Sequence, residues 1–242
     1  MSSYYGFHAI GGTVDAVVVS LGGSVLVPGE DDVRYLQNLA EMLVASAASL
    51  KIYAVTGGGR TARWYIEAGR ALGADEAFLD RLGIDATRAN AKLLIAALRG
   101  AAAKSVPMTV AAAARLGRRG RIVVMGGTTP GHTTDLVAAQ LARAVRAKRL
   151  VNATSVDGVY DRDPRGDVKA RRFDTLAYDD LVRLAGSGHD RAGPATVFDP
   201  QAAQFVARWR IPVAVVHGRD LEALRNAMFG RPFRGTNVGA WG

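Results

Sequence analysis

A loop of small and hydroxyl residues carries the clearest chemical signal in this sequence. It runs from Gly126 to Asp135 and reads Gly-Gly-Thr-Thr-Pro-Gly-His-Thr-Thr-Asp. It follows an apolar run at residues 121–125 and precedes an alanine-rich helical pattern at residues 136–147. Such a strand–loop–helix junction leaves backbone N–H groups and threonine hydroxyls at a helix N-terminus, where the helix dipole also favours negative charge. The loop therefore predicts an anion-binding active site.

The same arrangement occurs twice more. A strand pattern at residues 16–21 is followed by Gly22-Gly23-Ser24, and one at residues 51–56 by Gly57-Gly58-Gly59-Arg60 and a helix from Thr61. In an open parallel sheet, such loops lie together at the carboxyl ends of the strands. None has the spacing of a dinucleotide-binding motif or a P-loop. Three of them in one chain favour a ligand with several phosphates, although a single glycine turn often serves only to fit a helix against a strand.

Two arginines add positive charge to the second glycine loop. Arg63 comes four residues after Gly59, which places it in the first turn of the following helix. A guanidinium there can form paired hydrogen bonds to phosphate oxygens. An ordinary surface arginine is the alternative, and the triple glycine beside it favours the phosphate contact.

Other polar residues are weaker candidates. Asp157-Gly158 predicts a turn after a strand at residues 148–153, and Tyr160 in that turn can pack against a planar base. Asp163 precedes a proline and is held extended. Asp80 lies early in a long helical pattern at residues 76–98, where it can accept hydrogen bonds from ribose hydroxyls. A charged surface loop and a solvated helix face are the respective alternatives.

Strands and helices alternate along the chain, which predicts helices on both faces of a mainly parallel central sheet, a three-layer α/β/α sandwich. We expect one domain at residues 16–242, after an N-terminal extension at residues 1–15. Its two lobes, residues 16–147 and 148–242, share the sheet. Further helices are predicted at residues 32–49, 111–116, 179–185, 201–209 and 221–228, and further strands at residues 105–108, 211–216 and 236–238.

Composition narrows the function classes. The 242 residues include no cysteine, which excludes disulfides and thiolate metal sites, and His132 has no second histidine at ligand spacing. No apolar run approaches the roughly 20 residues that span a bilayer, so we expect no membrane partner and a soluble cytoplasmic protein. The net charge is +9. The basic residues are dispersed and no aromatic residues interleave with them, so no nucleic-acid partner is expected.

Taken in order, these motifs resemble the archaeal-type uridylate kinases of the amino-acid kinase family. The resemblance covers nearly the whole chain from about Val17. It rests on these segments: Leu21-Gly22-Gly23-Ser24, residues 56–63, residues 82–90 (Leu-Gly-Ile-Asp-Ala-Thr-Arg-Ala-Asn), residues 126–135, residues 153–164 and Asp199-Pro200. It implies transfer of the γ-phosphoryl group of ATP to UMP with Mg²⁺, in a cytoplasmic homohexamer built from dimers that serves pyrimidine nucleotide synthesis.

The resemblance also implies roles for particular residues. UMP contacts are expected at Gly58, Asp80, Thr128, Thr129, Pro130, Gly131, His132, Thr133 and Thr134, on the N-terminal lobe. ATP contacts are expected at Gly23, Ser24, Gly59, Arg63, Thr154, Ser155, Tyr160 and Asp163, with the C-terminal lobe as the ATP side. Arg63 and Asp135 are the expected catalytic residues, Asp199 is a candidate second carboxylate, and no metal site made by the protein alone is expected.

The sequence departs from the family at two positions. Many amino-acid kinases carry a lysine where this chain has Ser20, and a second where it has Ser155. Phosphoryl transfer needs positive charge over the transferred group. We hypothesise that Mg²⁺, Arg63, Arg60 and the helix N-termini supply it here.

Three alternatives stay open at this stage. The first is a kinase of the same fold that acts on carbamate, an acylated amino acid or an isoprenoid phosphate. The second is a non-catalytic nucleotide-binding member, which the missing lysines favour. The third, a nucleic-acid-binding regulator, rests on the net charge alone.

Overall fold

A mainly parallel sheet forms the centre of the chain. The computed structural model describes residues 14–27, 32–118, 122–186 and 197–240. Within these ranges seven strands pair in the order β3-β2-β1-β4-β6-β7-β5, and only β6 and β7 run antiparallel. The strands are β1 (Ala16–Leu21), β2 (Lys51–Thr56), β3 (Ile122–Met125), β4 (Arg149–Thr154), β5 (Thr175–Leu176), β6 (Val213–His217) and β7 (Thr236–Val238).

Helices cover both faces of this sheet. In the described ranges they are α1 (Gly23–Leu26), α2 (Asp32–Ser46), α3 (Gly59–Ala71), α4 (Glu76–Ala97), α5 (Val110–Leu116), α6 (Thr134–Ala144), α7 (Tyr178–Ala185), α8 (Pro200–Trp209) and α9 (Leu221–Phe229). One apolar cluster joins the sheet to α2, α4 and α9, and a second joins it to α6, α7 and α8.

Alternation along the buried strands divides the core between these two clusters. On β1, Val17 and Val19 belong to the first cluster and Val18 to the second, and all three are fully buried. Successive side chains of a strand point to opposite faces of the sheet, so a strand that is buried on both faces contributes to both clusters. The predicted three-layer α/β/α sandwich is confirmed.

The strand order brings the glycine loops together. Because β3, β2 and β1 are parallel neighbours, the loops that follow them lie at one edge of the sheet. The first two loops touch, since a Cβ atom added at Gly23 would lie 2.0 Å from the backbone nitrogen of Gly59. Gly59 also has a φ of +60°, a backbone conformation that residues with a side chain rarely adopt. Glycine at both positions is therefore a steric requirement of the packed loops.

Most predicted elements are present, with small shifts at their ends, but the strand predicted at residues 105–108 is wrong. This segment contains bends and Pro107, which has no N–H to give to a strand ladder. Ala102 lies alongside the outermost strand β3 instead, where it forms an isolated bridge with Ile122. Sequence patterns also missed α1 and β5, which have four and two residues and are too short to show a period.

Strands from both predicted lobes belong to the same sheet, with β1 to β3 from the first and β4 to β7 from the second. The division into lobes with separate roles stays a prediction. Residues 1–13 of the predicted extension, and Arg121 at the start of the strand predicted at residues 121–125, lie outside the described residues. In the described ranges, no helix is both long and apolar enough to cross a bilayer.

Candidate active site

Asp135 lies near the middle of the loop-bearing edge of the sheet. It is the second residue of α6, whose N-cap, Thr133, accepts a hydrogen bond from the Leu136 N–H at 3.1 Å. Because α6 packs across β1, β2 and β4, its N-terminus reaches the carboxyl end of β1. There the buried Ser20 hydroxyl donates a hydrogen bond to Oδ1 of Asp135 at 2.9 Å. The serine at the family's lysine position is thus in direct contact with the expected catalytic carboxylate.

The surroundings of Asp135 disfavour its charge. Burial raises the pKa of Asp135 to about 6, the hydrogen bond from Ser20 opposes that rise, and the neighbouring Asp199 carboxylate adds to it. A carboxyl group with this pKa is still mostly ionised at neutral pH. The site therefore holds a carboxylate at an energetic cost, and such costs are typical of functional positions.

Asp199 ties the start of α8 to the loop before α6. Its Oδ1 accepts hydrogen bonds from the N–H groups of Gln201 at 2.9 Å and Ala202 at 3.1 Å, which caps α8. Its Oδ2 accepts a short hydrogen bond from the Thr133 hydroxyl. Two helix N-termini and two carboxylates therefore meet at this point of the sheet edge.

A cavity of about 410 Å³ opens beside this point, between the loop after β2, helix α4 and the loop after β3. Ile66 and Ile84 contribute apolar walls. All but one of the residues that the family resemblance assigns to UMP line it: Gly58, Asp80, Thr129, Pro130, Gly131, His132, Thr133 and Thr134. Thr128 is not on the lining, and its carbonyl group accepts a hydrogen bond from Arg88. We call this space the acceptor cavity, after the UMP contacts that the family resemblance predicts on its lining.

Asp80 connects α4 to the far side of that loop. Its Oδ2 accepts a hydrogen bond from the Gly131 N–H at 2.8 Å, and Gly131 adopts a φ of +81°. Asp80 is therefore a wall of the acceptor cavity and also a support for the loop.

A second cavity, of about 470 Å³, follows β4 and β6 on the other side of β1. Ser155 and Tyr160, both predicted ATP contacts, line it together with His217 and Arg234. Thr154 and Asp163 are not on its lining. Asp163 accepts hydrogen bonds from the backbone N–H of Arg165 at 3.0 Å and from its side chain at 3.1 Å. We call this space the donor cavity, after the ATP contacts that the family resemblance predicts at Ser155 and Tyr160.

Asp157 organises the donor cavity. Its carboxylate accepts hydrogen bonds from the Tyr160 hydroxyl at 2.5 Å, from Arg172 at 3.2 Å and from Arg234 at 2.7 Å. Burial works to raise the pKa of Asp157, but the hydrogen bonds and the two guanidinium groups outweigh it and hold the pKa below its usual range. The loop that carries Tyr160 is therefore fixed by an ionised carboxylate.

Arg63 occupies a different position from the other predicted catalytic residue. It is exposed on α3 and lines a third cavity, of about 770 Å³, with Arg60, Trp64 and Tyr65. This lining shares no residue with that of the acceptor cavity. Gly23, Ser24 and Gly59 lie in the two touching glycine loops, between the acceptor and donor sides.

The oxygen atoms near Asp135 suit a magnesium ion that is held mainly by phosphates. Asp135 and Asp199 supply carboxylates, and Mg²⁺ commonly takes one or two of these together with phosphate oxygens. No group of three or more histidine, aspartate or glutamate side chains in the described ranges could hold a metal by itself. The residues present therefore fit an ion that enters with a nucleotide.

Sequence patterns assigned no role to several residues that build this site. Thr87 and Asn90 are buried polar residues on the inward face of α4, among apolar neighbours such as Ala91 and Leu94. A polar residue at such a position needs a buried partner, which is a signal that the sequence does contain. Arg234 lies far along the chain from Asp157 and Tyr160, and no pattern marks it.

Several known proteins are similar to this chain over most of its length. A model of the amino acid kinase family matches residues 15–217. The uridylate kinase of Thermoplasma volcanium is 46% identical over 224 residues, which cover 93% of this chain and 97% of that protein. The uridylate kinase of Methanocorpusculum labreanum is also 46% identical, with 92% and 95% covered.

A solved structure agrees with these sequence matches. The crystal structure of the uridylate kinase from Archaeoglobus fulgidus matches with a TM-score of 0.83 at 41% identity, and the match covers 92% of this chain and 99% of that one. The two chains thus share one fold over almost the full length of both. This chain belongs to the amino acid kinase family.

Proposed function

We propose that this chain is a nucleoside monophosphate kinase that transfers the γ-phosphoryl group of ATP to UMP, giving UDP and ADP. One structural observation carries the proposal. The acceptor cavity lies at the ends of β2 and β3, the donor cavity at the ends of β4 and β6, and the β1 loop with Asp135 lies between them. Two nucleotides bound there would direct their phosphates toward the same glycine loops. The relatives named uridylate kinase support UMP as the acceptor.

The reaction requires little acid–base chemistry. An oxygen of the UMP phosphate attacks the γ-phosphorus of ATP, the bond from that phosphorus to the bridging oxygen breaks, and the electron pair leaves with ADP. The attacking phosphate is already an anion, so no strong base is needed. What the protein must supply is position and positive potential.

Backbone groups and arginines provide that potential in our proposal. The touching loops at Gly23 and Gly59, and the N-terminus of α6, present N–H groups where phosphates would lie. Arg63 and Arg60 add charge from the neighbouring third cavity. Mg²⁺ bound to ATP would neutralise the β- and γ-phosphate oxygens. Asp135 and Asp199 are the residues that would hold that ion. Asp135 would also orient the catalytic groups around it.

The remaining roles follow the family resemblance and are part of the same proposal. UMP would contact Gly58, Asp80 and residues 128–134, and ATP would contact Ser24, Thr154, Ser155, Tyr160 and Asp163. A cytoplasmic location and a homohexameric assembly also rest on the resemblance.

Direct product analysis tests the activity. The full chain is incubated with ATP, MgCl₂ and UMP, and nucleotides are separated by ion exchange, with the Asp135→Asn variant as the matched control. We expect UDP and ADP in equal amounts from the wild type and at least about 100-fold less from the variant.

The same assay decides among the alternatives. CMP, carbamate and isopentenyl phosphate replace UMP in parallel reactions. Equal or better turnover with a non-nucleotide acceptor would identify another kinase of this fold. Calorimetric binding of ATP and UMP without any UDP formation would identify a non-catalytic member. Either result would overturn the proposal.

A further inference from the structure

One segment of helix α4 holds both glycine-containing loops of the acceptor cavity. We propose that Arg88, within this segment, is a positioning residue that sets the affinity for UMP through the backbone of residues 127–129. This inference rests on the proposed function and concerns a residue with no place on the lining of the acceptor cavity.

Thr87 and Arg88 hold the loop after β3. The Thr87 hydroxyl donates to the Ile84 carbonyl at 2.6 Å and accepts from the Gly127 N–H at 2.7 Å. The Arg88 guanidinium donates from Nε to the Gly127 carbonyl at 3.2 Å and from Nη2 to the Thr128 carbonyl at 3.3 Å. One side chain thus holds two consecutive peptide groups of the loop.

Asn90 holds the loop after β2 from the same helix. Its Nδ2 donates to the Gly57 carbonyl at 2.8 Å and lies 3.3 Å from that of Gly58. The Thr56 hydroxyl, at the end of β2, lies within hydrogen-bond distance of the carbonyls of Thr87 and Met125. Helix α4 is therefore the common frame of both loops, and Arg88 contacts only the one after β3.

The geometry of the peptide group explains how Arg88 can affect the binding of UMP. In a trans peptide unit the C=O and the following N–H point in opposite directions. Because the carbonyls of Gly127 and Thr128 face Arg88, the N–H groups of Thr128 and Thr129 point away from it. Within the described part of the chain, neither N–H has a hydrogen-bond partner. Thr129 lines the acceptor cavity, so its N–H group is suited to an acceptor oxygen of UMP.

Lysine cannot reproduce this arrangement. The two bonds depend on the planar fork of guanidinium, whereas an ammonium group is a single compact charge. The Arg88 side chain is only 16% exposed, so solvent cannot readily take its place. Its remaining ion pair, with the exposed Asp85 at 3.6 Å, is a surface contact that contributes little.

Steady-state kinetics of Arg88→Lys and Arg88→Met test the inference. We expect KM for UMP to rise by about tenfold or more while KM for ATP stays within about twofold, because the loop that loses its support serves one substrate only. Arg81→Lys is the matched control, since Arg81 is exposed on the same helix with its guanidinium over the Phe78 ring. It should leave both KM values unchanged. Millimolar guanidinium should lower KM for UMP in Arg88→Met but not in the control.

The outcomes separate this inference from the proposed function. If the wild type forms no UDP, the proposed function fails first. If the wild type forms UDP but both KM values rise together in Arg88→Lys, Arg88 is only a structural residue and the inference is overturned. An unchanged KM for UMP, or no rescue by guanidinium, overturns it equally. Should Arg88→Met fail to fold, the Arg88→Lys kinetics still decide.

Discussion

The Ser20 hydroxyl donates a hydrogen bond to Oδ1 of Asp135 at 2.9 Å, across 115 positions of the chain. This contact joins the end of strand β1 to the N-terminus of α6, the helix that follows the loop of the acceptor cavity. The family resemblance implies a lysine at this position in many amino-acid kinases, and this chain has Ser20 there. A neutral donor replaces a cation, and it stabilises the ionised carboxylate through a hydrogen bond rather than through charge.

Ser20→Ala should therefore change the pH dependence of the reaction as well as its rate. The hydrogen bond from Ser20 lowers the pKa of Asp135, so its loss should raise that pKa above about 6 and move the acidic limb of kcat to higher pH. We expect kcat at neutral pH to fall by about tenfold, in line with one charged hydrogen bond. Initial rates between pH 5 and 9 measure both effects.

Ser46→Ala provides the control for this variant. The Ser46 hydroxyl is also buried, but it donates to the Met42 carbonyl within α2, away from the cavities. Its removal should leave the pH profile of the reaction in place. An acidic limb that does not move in Ser20→Ala would mean that Asp135 does not govern the low-pH behaviour.

Asp135→Asn should stabilise the fold while it abolishes turnover. Burial raises the pKa of Asp135 from 3.8 to about 6, so the folded state binds the proton more tightly than the unfolded state. Stability is then lost as pH rises from about 4 to 6, and above pH 6 the ionised group costs roughly 3 kcal/mol. Asparagine has no charge to desolvate, so its gain in unfolding free energy should be present at pH 7.5 and absent near pH 4.

Urea denaturation at these two pH values measures that gain. Equal unfolding free energies of wild type and variant at pH 7.5 would show that the carboxylate is held without cost. A variant that is less stable at both pH values would show that the amide group cannot be accommodated beside Ser20 and Asp199.

Arg234→Ala should weaken ATP binding and leave UMP binding unchanged. The Arg234 guanidinium lies on the lining of the donor cavity and donates to Asp157 at 2.7 Å, which in turn accepts from the Tyr160 hydroxyl. Its loss should loosen the loop that carries Tyr160 and remove one cation near the nucleotide. Because Arg234 is largely exposed, we expect only about a fivefold rise in KM for ATP. Arg231→Ala, near the Phe229 ring, is the control, and a rise in KM for UMP instead would assign this region to the acceptor.

Much of this architecture could be predicted because it depends on local patterns. Strands β1 and β2 have the predicted bounds, because each is a largely apolar run that ends where a glycine loop begins. Parallel neighbours then place their glycine loops at one edge, and the contact of Gly23 with Gly59 follows from that placement. Most of the residues assigned to UMP lie together for the same reason, because they come from one loop and one helix.

The hydrogen bonds that hold the site in place could not be predicted in the same way. The hydrogen bonds of Ser20, Arg88 and Arg234 each join elements that are far apart in sequence and meet only through the sheet order. No local period encodes such a partner. The wrong strand at residues 105–108 has a different cause, because short apolar runs are ambiguous and Pro107 argues against a strand inside a sheet.

Substitution of Arg63 tests the hypothesis that this arginine supplies positive charge over the transferred phosphoryl group. The structure places it with Arg60 on the third cavity, away from the lining of the acceptor cavity. If its guanidinium reaches the transferred phosphoryl group only when both nucleotides are bound, Arg63→Ala should lower kcat by at least about 100-fold with little change in either KM. If turnover stays within about threefold of wild type, a barrier change of about 0.7 kcal/mol, Arg63 is not catalytic. Arg60→Ala, measured in parallel, separates the two arginines. If a large loss of kcat is confined to Arg60→Ala, Arg60 is the catalytic arginine instead of Arg63. Arg60 directly follows the glycine loop, so a position next to the glycines would then matter more than the helical spacing that predicted Arg63.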